Sequence, residues 1–234
     1  LTFKDGPIYW EQRFQQESQF DWYTNWNIIA PYVRTYIDSS HQILVVGCGN
    51  STMSQSMYEE GYALITNMDV SETVIHKMKQ RHYEILGHQM DDECQPEELY
   101  PPPMLFDVQD VTCMSYPADR FDIVIDKGTL DALRCIGHGQ SDILIPKMMN
   151  EVRRVLRVGG KYLCIASGPR QRWIKPKKYG WNIEVVHIPR IGKHSQSVNV
   201  KQLKPYYMYV CTKLPAAAKS ATQTNVAEEP VMLV

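Results

Sequence analysis

The amino-acid sequence predicts an α/β fold, a doubly wound and mostly parallel sheet with helices on both faces. Three observations predict it. Short continuous apolar runs alternate with helical spacings, the first run ends in Gly47-Cys48-Gly49, and acidic residues recur where later runs stop, at Asp69, Asp110 and Asp126. Strands covered on both faces read as continuous apolar runs, and their alternation with helices implies right-handed parallel crossovers. Sheets of this kind hold ligands beyond the C-terminal ends of their strands, at the point where the strand order reverses.

The elements follow in order. "HQILVVGCGNS" is a buried strand entering a tight glycine turn, and Met53, Met57 and Tyr58 carry helical spacing up to Gly61. "ALITNMD" is the second strand; "SETVIHKMKQRH" is a helix with Ser71 at its N-cap, Glu72 in its first turn and Val74, Ile75 and Met78 on its apolar stripe. The acidic, proline-rich stretch 87–104 breaks every period and reads as a long loop. "LFDVQDVT", ending at Asp110, and "FDIVIDKG" are the third and fourth strands. "SDILIPKMMNEVRRVLRVGG" is a helix with Gly159-Gly160 as its stop, followed by the fifth strand "KYLCIAS". "WNIEVVHIP" and "YYMYVCTK" are separated by a basic stretch without helical pattern and are paired as antiparallel strands. Residues 214–234 are small, polar and aperiodic, and disorder is expected there.

Composition narrows the class. At 234 residues the chain suffices for one α/β domain, and its apolar runs are far shorter than a membrane span. Cysteines 48, 94, 113, 135, 164 and 211 are scattered without a CxxC pair or adjoining histidine spacing, so no metal site is expected. Free thiols without a secretory h-region predict a cytoplasmic protein with no membrane partner. The net charge of −1 conceals an asymmetry: residues 1–146 hold 9 Lys/Arg against 22 Asp/Glu, and residues 147–213 hold 15 against 2. Either the halves neutralise each other across the fold, or the basic half faces an acidic protein or RNA.

The strand ends define the ligand. Gly47 and Gly49 let backbone approach a ligand closely, and Asp69 lies 20 residues beyond Gly49, where a carboxylate can hold two ribose hydroxyls. NAD and S-adenosylmethionine both need that arrangement. A dinucleotide site wants a third glycine at position 52, where this chain has Thr52. Asp110 and Val111 supply a side-chain acceptor and a backbone N–H for an adenine ring. The methyl donor therefore fits better. Gly47 and Gly49 as a plain turn, Asp69 as a helix cap, Asp110 as a turn residue and Lys127 as a solvated lysine are the plainer alternatives.

"YWEQRF", "FDWY", "ILVVGCGNS", "MDVSETVIHKMK" and "FDIVIDKGTLDAL" together resemble the class I S-adenosylmethionine-dependent methyltransferases that modify lysines of translation elongation factor 1A. "RRVLRVGGKYLCIAS" and the two late strands extend the resemblance over residues 8–213. It implies a Rossmann-like seven-stranded sheet with an antiparallel last strand, a methyltransferase domain over 41–213 and an aromatic lid over 1–40. It further implies cofactor contacts at Trp10, Phe14, Trp22, Gly47, Asp69, Val70, Asp110, Val111 and Lys127, with S-adenosylhomocysteine as product, and Gly49 joins them from the turn itself. Trp10 and Trp22 as ordinary core packing is the plainer alternative to a lid meeting the adenine or the sulfonium.

The expected activity is in-line methyl transfer to a lysine amine of elongation factor 1A. Asp126 or Asp131 is a candidate for orienting that amine, with Tyr206 or Tyr207 lining its channel, and no general base is assigned. Three other readings stay open. An RNA methyltransferase would use the basic half, although Asp126-Lys127-Gly128-Thr129 replaces the Asn/Asp-Pro-Pro-aromatic turn of exocyclic-amine enzymes. A silent S-adenosylmethionine-binding module would keep the same crevice, and an NAD oxidoreductase is opposed by Thr52.

Overall fold

The computed structural model describes residues 1–87, 102–137, 139–190 and 204–215. A short 3-10 turn (Phe3–Asp5) leads into α1 (Pro7–Gln16) and α2 (Trp26–Val33). Then come β1 (Ile43–Val46), α3 (Met53–Glu59), β2 (Ile65–Asp69), α4 (Glu72–Ile85) and β3 (Leu105–Val108). The second half runs β4 (Phe121–Lys127), α5 (Thr129–Cys135), α6 (Ser141–Val155), β5 (Leu156–Ala166), α7 (Pro176–Tyr179), β6 (Trp181–Ile188) and β7 (Tyr206–Lys213).

The seven strands lie in the order β3-β2-β1-β4-β5-β7-β6. The first five are parallel, and β7 enters antiparallel between β5 and β6. The order reverses between β1 and β4, so the crevice predicted at strand C-termini opens there. Alternation along β1 builds both layers. Ile43 and Val45 join Trp26, Ile29, Met57 and Val74 on one face, while Leu44 and Val46 join Leu130, Met148, Val152 and Val155 on the other.

Two sequence expectations are corrected. Gly159-Gly160 does not stop a helix: α6 ends at Val155, and β5 begins at Leu156 and runs through both glycines. The pair serves a bulge. Pairing jumps from Phe121↔Leu156 to Ile123↔Lys161, and Gly159 takes φ +81° there. A Cβ on Gly160 would stand 2.9 Å from the carbonyl oxygens of Arg157 and Asp122, so only glycine permits the approach. The third strand also stops early, at Val108, leaving Asp110 in the turn beyond it. The long loop falls mostly, and the tail almost wholly, outside the described residues. No helix among the described residues is long and apolar enough to cross a membrane.

Candidate active site

β1 ends in a turn that requires its glycines. Gly47 (φ +59°) and Gly49 (φ +53°) both take left-handed backbone. A Cβ on Gly47 would meet Thr129 Oγ1 at 2.1 Å, so β1 and the start of α5 approach too closely for any side chain. Behind this turn lies a cavity of about 400 Å³, within the roughly 300–1,000 Å³ range of small-molecule sites. Gly47, Gly49, Asp69, Val70, Asp110, Val111 and Lys127 all line it, as do Trp10, Phe14 and Trp22 from the N-terminal segment.

Asp69, at the tip of β2, is buried; its Oδ2 accepts from the Gly49 N–H at 3.0 Å and its Oδ1 from the Ser71 N–H at 3.1 Å. The cap of α4 is Ser71, whose hydroxyl accepts from the Val74 N–H at 3.2 Å, so Asp69 is free of that duty. Burial pushes the Asp69 carboxyl up to about 6, against the lowering effect of those N–H bonds. Each oxygen keeps a lone-pair direction for a ligand hydroxyl. Asp110 is exposed, with Oδ1 accepting from the Thr112 N–H at 2.8 Å, and Val111 is buried beside it.

Asp126 and Lys127 part company because consecutive strand residues point to opposite faces. Lys127 faces the crevice, and its ammonium reaches Asp21 at 3.3 Å and the Trp22 carbonyl at 3.2 Å. Asp126 points away from the crevice and is fully buried. Its oxygens accept from Thr129 N–H (2.7 Å), Leu130 N–H (3.1 Å) and Tyr162 O–H (2.7 Å). This carboxylate fastens the start of α5 and does not line the cavity, which corrects its candidacy for orienting an acceptor amine. Asp131 does line the cavity, but it accepts from Tyr23 O–H at 2.5 Å, from the Ser167 N–H at 3.2 Å and from Arg170 Nε. Burial would raise its pKa; the Arg170 and Tyr23 bonds outweigh that and hold it below the usual range. Tyr206 donates to the Tyr23 carbonyl at 2.7 Å, whereas Tyr207 packs on His187 and Tyr209 away from the cavity.

Sequence reasoning missed the carboxylates that hold the N-terminal segment down. Asp21 accepts from Ser51 Oγ, from Thr52 Oγ1 at 3.0 Å and from Lys127. Glu11 ties α1 to the start of α4 through Ser71 Oγ at 2.5 Å and Thr73 Oγ1. Lys77 closes the end of α1 by donating to the Phe14 carbonyl at 2.6 Å. The Arg13 guanidinium lies 4.9 Å from the Trp22 ring and 5.8 Å from Trp10. No local pattern marks Asp21, Glu11 or Lys77, because their partners are distant in the chain.

The crevice can be tested for its ligand. Lys127 is the one Lys or Arg among the described lining residues, and it is already paired with Asp21. A pyrophosphate would find no free cation there. An adenosine bearing an amino acid would find Asp69, the glycine-turn N–H groups and apolar walls, so S-adenosylmethionine fits, while Thr52 in place of a third glycine disfavours a dinucleotide.

Fold and crevice together are of the Rossmann-like methyltransferase class, with a site that S-adenosylmethionine fits. Solved structures share the architecture. One is a SAM-dependent methyltransferase from Methanosarcina mazei (TM-score 0.52, 14% identity, covering 79% of this chain and 97% of that one). Another is magnesium protoporphyrin IX methyltransferase from Synechocystis with bound SAM (TM-score 0.57, 13% identity, covering 90% and 93%). The methyltransferase domain family matches residues 37–185, and the chain belongs to that family. It is 33% identical over 221 residues to the eEF1A lysine and N-terminal methyltransferases of Bos taurus and Homo sapiens, covering 92% of this chain and 30% of each relative. This chain thus spans about 30% of those relatives' length. EEF1A lysine methyltransferase 4 of Bos taurus is 27% identical over 190 residues, covering 75% of this chain and 67% of that protein.

Proposed function

We propose that the chain transfers a methyl group from S-adenosylmethionine to a lysine amine of translation elongation factor 1A in the cytoplasm, with residues 1–40 closing over the crevice. The supporting observation is a cation-poor crevice at the β1/β4 switch point, in a chain similar to enzymes named for that substrate. Lysine is favoured over an N-terminal amine because the relative covered over two thirds of its own length is named for lysine alone.

When bound, S-adenosylmethionine supplies a methyl group on a positively charged sulfur. The chain's own residues do the rest. Asp69 holds the ribose hydroxyls; Asp110 and the Val111 N–H receive the adenine edge. The Gly47–Gly49 turn brings N–H groups to the amino-acid end. Trp10, Phe14 and Trp22 exclude water and fix the reacting geometry. A free lysine, with pKa about 10.4, is almost wholly charged near neutrality. Desolvation beside a sulfonium lowers that value and exposes the lone pair.

Incubation with methyl-labelled S-adenosylmethionine and a cell lysate, with and without ribonuclease, tests the assignment. A ribonuclease-resistant band at the size of elongation factor 1A, absent for Asp69→Ala, is the expected result. Label that disappears with ribonuclease overturns it in favour of an RNA acceptor.

A further inference from the structure

The acceptor side of the crevice contains a residue that nothing above assigns. Adenosine belongs at the β2 and β3 ends, near Asp69 and Asp110, so the reactive end lies across the switch point, at β1 and β4. Tyr23 stands there. It lines the cavity and packs on Gly128, where an added Cβ would sit 3.4 Å from Tyr23 Cε2 and 3.7 Å from its phenol oxygen.

Tyr23 is also held in a backbone conformation that its side chain disfavours, with φ +67°. Non-glycine residues stay in this region only where their surroundings over-determine them, and such residues cluster at functional sites. The determinants here are explicit. Its phenol donates to Asp131 at 2.5 Å, its carbonyl accepts from Tyr206 O–H at 2.7 Å, and the carbonyl before it accepts from Lys127 at 3.2 Å. The Tyr206 ring lies 5.6 Å from its own.

We propose that the Tyr23 phenol oxygen is the residue that receives and orients the acceptor amine, with Asp131 as the positioning residue that aims it. This rests on the methyltransferase reading above. The phenol proton is committed to Asp131 and the Ser167 side chain also bonds the phenol oxygen, which leaves one lone pair as an acceptor for an amine N–H. Asp131 cannot take the amine itself, since its oxygens are occupied by Tyr23, Ser167 and Arg170. The charge arithmetic favours the neutral amine. Asp131 is matched by buried Arg170 and Asp21 by Lys127, so neither carboxylate at this end is left unpaired to hold the lysine in its ammonium form, while Asp69 and Asp110 lie at the adenosine end. An amine that donates one N–H to Tyr23 can turn its lone pair to the methyl carbon. That pair forms the N–C bond, the S–C pair stays on sulfur, and the surplus proton leaves to water.

Calorimetric titration with two cofactor analogues tests this without any protein acceptor. One is S-adenosylhomocysteine; the other is sinefungin, which carries a primary amine where the methyl group sits. The full chain is expected to prefer sinefungin by about tenfold, the worth of one hydrogen bond from its amine to Tyr23. Tyr23→Phe should abolish that preference while keeping S-adenosylhomocysteine affinity within about twofold. Tyr206→Phe, which keeps the phenol but frees the Tyr23 backbone, should reduce it by about threefold. Should Tyr23→Phe lose both analogues, Tyr206→Phe decides: a reduced preference supports the assignment, and an unchanged one overturns it. A sinefungin preference that survives Tyr23→Phe also overturns it. Failure of the unsubstituted chain to bind S-adenosylhomocysteine overturns the methyltransferase reading itself.

Discussion

Cofactor affinity should fall as pH falls through 6, and Asp69 should be the cause. Its carboxyl is buried at the end of β2 and pushed up to about 6, while the same group in an unfolded chain stays at 3.8. A ribose hydroxyl needs the carboxylate as acceptor, so binding competes with protonation. With a pKa of about 6, the dissociation constant of S-adenosylhomocysteine should roughly double at pH 6 and rise about tenfold by pH 5, from a plateau above about pH 7. Calorimetric titration across this range reads it directly. Asp69→Asn should bind more weakly at neutral pH, by about tenfold or more, and lose the acidic slope. Titration of the ligand's own amino group cancels between the two proteins, as does that of Asp126, which burial also pushes up to about 6 and which lies outside the cavity. The linkage to folding has the opposite sign. A carboxyl raised in the folded state adds stability that is fully present below 3.8 and lost as pH rises through about 6. Weaker binding at pH 5 is therefore not explained by Asp69 loosening the fold. An affinity that stays flat down to pH 5, or the same slope in Asp69→Asn, would refute the reasoning.

Three further outcomes follow from the site. Asp21→Asn strands the Lys127 ammonium, whose side chain is 5% exposed, and should cost about 3 kcal/mol, seen as a melting temperature lower by about 6–12 °C; Asp21→Asn with Lys127→Met should recover most of it. Gly47→Ala drives a methyl group into Thr129 and should abolish measurable S-adenosylhomocysteine binding, with Thr129→Ala restoring it only in part because φ +59° remains strained. His82 is buried, accepts from the Met104 N–H at 3.1 Å, and is lowered by burial to about 4. Its unfolded form takes a proton first, so denaturant titrations should show stability falling between about pH 6.5 and about pH 4 more steeply in the parent chain than in His82→Gln.

The parts of the site carried by single stretches of chain were legible. A continuous apolar run followed by Gly-x-Gly places its own turn, and Asp69 announces itself by closing the next run. Strand alternation also bears on Asp126 and Lys127, since adjacent residues of one strand cannot both face one crevice. Which of the two faces it depends on where α5 packs, and that is a tertiary fact. Gly159-Gly160 misled for a related reason. A glycine pair after a helical pattern resembles a helix stop, while the pressure that selects Gly160 is the Asp122 carbonyl on a neighbouring strand. Asp21, Glu11 and Tyr23 were not legible at all. Their partners lie 31, 60 and 108 residues away, and an isolated acid or tyrosine near an amphipathic helix gives no sign of which distant group it will meet.

Thr52 joins the cofactor and the N-terminal segment in one physical choice. In a dinucleotide site the third glycine lets the helix pack closely on the strand, with the pyrophosphate at the helix start. A ligand without phosphates does not set that demand, and a side chain bearing a hydroxyl can stand at the position. Here the Thr52 hydroxyl donates to Asp21, beside Ser51 and the Lys127 ammonium, and Asp21 directly precedes Trp22 and Tyr23. The substitution that argues against a dinucleotide is therefore the same one that anchors an aromatic cover over the crevice. A glycine at 52 would remove a bond from that anchor. Loss of the third glycine, closure by residues 20–23 and the pairing of Lys127 form a single arrangement, in which each feature has a physical reason only when the other two are present.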